Sequence, residues 1–406
     1  MIPVFDSFDY FASLFPLLLV LVPVLLVVRA TGARVALITL AGLYLLALIA
    51  PRLALFHLVF WLVVAALQPL VAATGERRAG LAVLAAALGV TLLPVVLWKV
   101  WPIEFVIEFN VLTHDLVAWP STWIEALDYT APILAPIGLS FGAFRAADLL
   151  VRSHLGLIDR LRPGRVLATG LFPPLLVVGP IASYDETEKT LIDRVPLERE
   201  RLLSGTSQIL TGLFKVFVIA YLLDWSVEIF AFYADNAPWR LWVGLIAFTW
   251  FFYVNFAGYS DMAIGAGTLL GANLRPNFDR PYRQTTPAAF WNSWHISLTR
   301  FLRINVYTPL VAGHPRRQYA GTTITMLLIA LWHGVSWATL VFGLYHAAFL
   351  VGHRVVSQRR PPSTSPVARY AKSVGIFSWF GASLPLLHLS LDGAVDFYGA
   401  MLGVAA

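Results

Sequence analysis

Few groups in this chain can move a proton or attack a carbonyl. It has nine histidines and no cysteine, which excludes thiolate nucleophiles, acyl-cysteine intermediates, thiolate zinc sites and disulfides. The histidine in the sharpest setting is His333, in Leu331-Trp332-His333-Gly334-Val335-Ser336-Trp337, at the middle of an apolar stretch and beside a flexible glycine. An imidazole with little water around it stays neutral, and a neutral imidazole can take the proton of a hydroxyl nucleophile. The competing reading is a buried histidine hydrogen-bonded to a neighbouring helix. His295 ends Phe290-Trp291-Asn292-Ser293-Trp294-His295. It reads either as a second functional group or as an ordinary amphipathic residue at headgroup depth. His346, thirteen residues after His333, could line the same interior, but packing accounts for it better. His57 and His388 read as packed, and His114, His154, His314 and His353, in or beside loops, as solvated.

Two other patterns carry no chemistry. Gly138-Leu139-Ser140-Phe141-Gly142 matches the nucleophile-elbow pattern, which has mechanical meaning only at a strand-to-helix turn; here it sits inside an apolar helix. Gly265, Gly267 and Gly271 miss the dinucleotide spacing and follow no strand, so they read as small-residue helix contacts. No two histidines stand at a metal-ligand spacing with a carboxylate nearby, so no metal site is expected.

The elements that must position these residues are membrane helices. Of 406 residues, 58% are apolar and only 13% charged, about half the charged share of soluble proteins. So little polar surface cannot cover a core in water. The composition excludes a soluble enzyme and intrinsic disorder, and the charge pattern holds no basic stripe for nucleic acid. Stretches of spanning length run Phe11–Val28, Val35–Ala50, Leu53–Ala73 and Gly80–Trp98. Asp6 and Asp9 precede the first without any Lys or Arg, unlike a cleaved signal peptide. A polar interlude follows over 99–129, and further apolar stretches cover 131–151, 166–183, 205–223, 239–256, 321–351 and 374–391. We expect an all-α polytopic membrane protein of about nine to eleven hydrophobic helices, one membrane domain over 1–406 with N-terminal spans in 1–98.

Basic residues orient it. Arg29 and Arg34, then Arg77 and Arg78, then Arg152, Arg160, Arg162 and Arg165 fall on alternate turns, which places the N-terminus and the acidic interlude outside. Pro173, Pro174 and Pro180 argue for a re-entrant element over 166–183. The arginine-rich stretch 260–320 is expected on the cytoplasmic side, with Ala288–Asn305 as one short interfacial helix. The stretch 321–351 is too short for two full spans and basic at both ends, so it reads as a plunge-and-return hairpin turning near Trp332–Trp337, with one strongly tilted span as the alternative.

From Phe256-Ala257-Gly258-Tyr259-Ser260-Asp261 the sequence resembles a known family. The resemblance continues through Asn277-Phe278, Pro281-Tyr282, Phe290-Trp291, Trp294-His295-Ile296-Ser297-Leu298 and Phe301-Leu302-Arg303 to Leu331-Trp332-His333-Gly334 and Gly343-Leu344-Tyr345-His346. In order and spacing these motifs resemble the membrane-bound O-acyltransferase family, in the bacterial branch of the alginate O-acetylation and teichoic-acid D-alanylation membrane proteins. Weaker echoes extend it over 131–403. The resemblance implies re-entrant segments around a central tunnel or funnel, in the bacterial cytoplasmic (inner) membrane. It implies an acyl thioester donor, acetyl-CoA or an acyl carrier protein, as co-substrate with no bound cofactor, and a hydroxyl acceptor, leading to modification of a cell-envelope polysaccharide. A cytosolic carrier protein, an extracytoplasmic acyltransferase partner and membrane lipid are the implied partners, and nucleic acid is not.

By the same resemblance His333 is the catalytic base and His295 the second histidine of its chamber. Trp332, Trp337, Trp294, Ser336, Asn292 and Tyr259 are then expected to line the substrate tunnel. Asn292 and Ser293 stand where relatives carry two basic residues, and Ile304 and Asn305 where they carry Asp-Tyr, next to the expected donor mouth. Acetyl transfer is the leading reading. D-alanyl transfer from a carrier protein is its rival, and a transporter or lipid-handling protein with broken helices is a rival of another class.

Overall fold

The computed structural model describes residues 8–75, 78–100, 138–193, 195–357 and 365–404, and every regular element among them is helical. The apolar N-terminal stretches form α1 (Phe8–Val27), α2 (Thr31–Ile49), α3 (Pro51–Thr74) and α4 (Arg78–Val100). Pro51 opens α3, where its missing N–H costs nothing, and Gly75 at φ 54° closes it. Next come α5 (Leu139–His154), α6 (Pro163–Gly170), α7 (Tyr184–Ile192) and α8 (Arg199–Phe214). The 33-residue α9 covers Pro238–Leu270, and α10 (Pro287–Ser293) and α11 (Ile296–Leu302) are short. Then α12 (Gln318–His333), α13 (Trp337–Ser357), α14 (Pro366–Gly381) and α15 (Leu391–Met401) complete the described chain. Six of these helices, α1–α4, α9 and α13, are long and apolar enough to cross a membrane. The chain is an all-α polytopic membrane protein.

The helices form two compact units, one holding residues up to 209 with 261–275, the other 210–260 with 276 onward. In the first, α3 packs against α2, α4, α5 and α6. Buried Arg145 of α5 grips the last carbonyls of α6, donating to Thr169 and Gly170 at 3.0 Å each, so that a cation faces the negative end of a helix. His154, expected in solvent, is instead 4% exposed at the end of α5. The elbow-like Gly138–Gly142 pattern, expected inside a helix, instead begins one: Gly138 is a left-handed turn residue at φ 78° and the helix starts at Leu139. Stretch 166–183 is no span. It breaks after α6 into a short turn at Pro173–Leu175 and irregular buried backbone, as its three prolines require.

The second unit is organised around aromatic rings. Trp294 stacks on Phe252 (5.7 Å between ring centroids) and Phe290 (5.6 Å) and lies 4.6 Å from Phe380. Each such pair adds about 0.5–1.5 kcal/mol beyond its buried area. Here α12 and α13 form the expected hairpin, turning at Gly334–Ser336, with Gly343 of α13 against Ala330 and Leu327 of α12.

Three expectations shift. The span over 239–256 extends to Leu270, because the polar residues Ser260 and Asp261 do not interrupt helix 238–270. The span over 374–391 is two pieces, since α14 ends at Gly381 and Pro385 opens a separate turn. The single interfacial helix over 288–305 is broken at His295, and its aromatic side chains Phe290, Trp291 and Trp294 are buried in protein rather than laid on a headgroup layer. The interlude lies outside the described residues from 101 onward, as does His114.

Candidate active site

His333 and His295, the two expected catalytic residues, lie in the second unit together with His346. His333 is the last residue of α12, half-buried, just before the hairpin turn. Among the described residues, an added Cβ on the following Gly334 would meet nothing within 4 Å, so the turn is open at that position. Trp332 joins the two expected catalytic residues, with its ring 4.6 Å from His333 and 5.7 Å from His295. On the other side Phe342 stands 6.3 Å from His333 and 4.3 Å from His346. The five rings form a continuous row, and both outer histidines lie within electrostatic reach of His333.

His295 sits at a corner. It links α10 to α11 in the left-handed conformation (φ 43°, ψ 56°), which costs a residue with a Cβ about 1 kcal/mol or more. The corner is clamped by residues 277–279. Ile296 N–H donates to the Asn277 carbonyl at 2.9 Å, and Asp279 N–H donates to the Ser293 carbonyl at 2.9 Å. The Asn277 side chain completes the clamp. Its Oδ1 lies 3.2 Å from His295 Nδ1 and accepts from the Ser297 backbone N–H (3.2 Å) and hydroxyl (2.9 Å), while its Nδ2 donates to Ser260 Oγ at 3.1 Å. His295, Asn277, Ser260 and Ser297 are all buried.

His346 is fully buried against Trp291, Phe342 and Trp379. Its Nε2 lies 3.0 Å from Ser383 Oγ, and that hydroxyl donates to the Phe380 carbonyl at 2.7 Å. A hydroxyl has one hydrogen, so here the imidazole donates and the serine accepts. His388 packs among Phe230, Phe248 and Phe252, and His57 is buried, both as expected.

The expected tunnel residues divide. Trp332 stands between the two histidines. Trp294 belongs to the aromatic core beside Phe290 and Phe380 rather than to the row of histidines. Tyr259 is buried on α9, one residue before Ser260. Asn292 is exposed and accepts a hydrogen bond from Arg303. Ser336 caps α13, its hydroxyl accepting from Thr339 N–H while Thr339 Oγ1 accepts from Ser336 N–H, both at 3.1 Å. Trp337 begins α13 with 74% of its surface exposed. Sequence reasoning missed the partners Asn277, Ser260, Ser297 and Ser383. Asn277-Phe278 stood among the quoted motifs, but nothing local ties an asparagine to a histidine eighteen positions later.

The arrangement offers imidazoles, amides and hydroxyls, with His295 and His346 buried, which suits proton removal from a hydroxyl. Residues 160–391 match the family model described as MBOAT, membrane-bound O-acyltransferase family. Among curated relatives, the chain is 31% identical over 240 residues to a protein named probable alginate O-acetylase AlgI of Azotobacter vinelandii, covering 57% of this chain and 47% of that protein. It is 32% identical over 194 residues to a peptidoglycan O-acetyltransferase of Helicobacter pylori (46% of this chain, 36% of that one). With a teichoic acid D-alanyltransferase of Streptococcus thermophilus it shares 27% identity over 282 residues (62% and 67%). The matched region spans about half the length of the alginate-type relatives.

Proposed function

The chain belongs to the membrane-bound O-acyltransferase family, and from that premise we propose that it transfers an acyl group, acetyl in the leading reading, from a cytosolic thioester to a hydroxyl acceptor at the bacterial cytoplasmic membrane. The observation that carries this is the pairing of His333 and His295 across Trp332. A hydroxyl bound beside Gly334 gives its proton to His333 as its oxygen attacks the thioester carbonyl. The tetrahedral intermediate then expels the thiolate, which takes the proton from the imidazolium. The products are an ester and a free thiol, so atoms and charge balance. Indole and phenyl rings around the histidines favour transfer over hydrolysis by keeping water out. The acceptor leads to an exported or cell-envelope polysaccharide, with an extracytoplasmic transferase as a partner and a cytosolic carrier as an alternative donor.

D-alanyl transfer is the second reading. Its support is the 27% identity over 282 residues that the chain shares with a teichoic acid D-alanyltransferase.

Turnover of acetyl-CoA and of an alanyl-loaded carrier protein by the purified chain tests both readings. His333→Ala is expected to lower turnover by about 10²- to 10⁴-fold, the usual contribution of a general base. The accepted donor selects the branch. An unchanged rate in a folded His333→Ala protein removes the proposal.

A further inference from the structure

Neutral histidine carries one N–H, and which nitrogen bears it decides whether the free nitrogen gives or takes a hydrogen bond. At His295 the hydrogen bonds settle the matter. The Ser297 backbone N–H can only donate, and it points at one end of the Asn277 amide at 3.2 Å, as does the Ser297 hydroxyl at 2.9 Å. That end is therefore the carbonyl oxygen and the amide is not flipped. The other end, an NH₂, donates to Ser260 Oγ. His295 Nδ1 lies 3.2 Å from the same oxygen. A bare nitrogen there would set two lone pairs against each other, so Nδ1 carries the hydrogen and Nε2 is bare.

Burial keeps this choice fixed. Asn277 and Ser260 are each 1% exposed, His295 3% and Ser297 5%, so water does not compete for the bonds. The left-handed corner at His295 is held by the backbone of the same 277–279 segment. One short stretch thus fixes both the direction of the ring and its tautomer.

We propose that Asn277 is the positioning residue of His295, holding it as the Nδ1–H tautomer so that Nε2 accepts a hydrogen bond from the acceptor hydroxyl. The consequence is a division of labour within the site, and it rests on the acyl-transfer reading given above. A bare Nε2 attracts an O–H and repels a carbonyl oxygen that is gaining negative charge, which needs N–H donors. His295 therefore serves the acceptor side of the reaction and leaves the thioester carbonyl to other groups.

The test uses the full chain in lipid bilayers, labelled with ¹⁵N-histidine, the His295 signal being assigned by its loss in His295→Gln. Wild type and Asn277→Asp, which keeps an acceptor oxygen, are expected to show Nε2 bare and Nδ1 protonated. Asn277→Leu is expected to show both tautomers. In acetyl-CoA turnover with methyl glucoside as the hydroxyl probe, Asn277→Leu should raise the KM for methyl glucoside by about tenfold, the equivalent of one hydrogen bond. The KM for acetyl-CoA should stay within about twofold of wild type and Asn277→Asp should restore the glucoside value. A protonated Nε2 in wild type overturns the proposal, and so does an Asn277→Leu enzyme with an unchanged KM for methyl glucoside. Should Asn277→Leu fail to fold, the wild-type and Asn277→Asp spectra still decide the tautomer. A wild type that turns over no thioester removes the acyl-transfer reading, and the acceptor-side role with it, while leaving the tautomer to the spectra.

Discussion

His346 and Ser383 pose the question of what a polar pair is worth inside an aromatic box. The imidazole donates to Ser383 Oγ at 3.0 Å, and no water reaches either residue, both being 0% exposed. Removing only the acceptor strands a buried N–H, which costs about 1–3 kcal/mol, whereas replacing both partners by apolar groups of similar shape is nearly neutral. Ser383→Ala should therefore lower thermal stability, and the double variant Ser383→Ala/His346→Phe should recover most of the loss. A double variant less stable than Ser383→Ala would mean that the imidazole contributes something other than this bond. At this scale the sequence was partly legible. His333 and His295 stood out because a histidine in an apolar or aromatic run is rare and costly. The roles of Asn277 and Ser383 did not, because each acts on a histidine far along the chain and only the fold brings them together. His154 misled for the converse reason, since a loop-side position in sequence is no measure of burial.

Among the elements, the α12–α13 hairpin was readable because basic residues flank both ends of a stretch too short for two spans. The break between α10 and α11 was not. No glycine or proline marks His295, and the corner exists because backbone bonds from residues 277–279 hold it. The hairpin gives its own prediction. At Gly343 an added Cβ would stand 2.9 Å from Ala330 Cβ and 3.2 Å from the Leu327 Cα, contacts that no flexible side-chain end can relieve. Gly343→Ala should cost about 1–3 kcal/mol through overpacking, and it should disturb His346, one turn further along. Gly352, on the same helix, has nothing within 4 Å of such a Cβ, so Gly352→Ala should gain up to about 1 kcal/mol from helix propensity. Thermal unfolding of the two detergent-solubilised variants checks the contrast, and equal shifts would mean that the helices do not approach as closely as Gly343 implies.

At the scale of the whole molecule, the sidedness of the first unit can be argued from arginine distribution and from one short helix. From the arginine distribution, the α1–α2 link and the stretch after α5 are expected on the cytoplasmic side. Within the first unit, Arg34, just after that link, donates to the Thr190 carbonyl near the end of α7 at 3.0 Å. Arg152, in the last turn of α5, pairs with Asp185 in the first turn of the same α7. A helix of nine residues is about 13 Å long, less than half a hydrocarbon core of about 30 Å. Elements tied to its two ends are therefore expected to emerge on the same face. Arg34 also donates to the Leu25 and Val28 carbonyls at the end of α1, so its charge has a structural use, and the α7 tie is the stronger of the two arguments. A chain without cysteine allows a clean test. Single substitutions Ala30→Cys and Arg160→Cys should be shielded from a membrane-impermeant maleimide in intact cells and labelled once the membrane is opened. Ala50→Cys and His114→Cys should label at once. Labelling of positions 30 and 160 from opposite sides would break the α7 tie itself. Labelling of both from outside would keep the tie and reverse the orientation expected from the arginines.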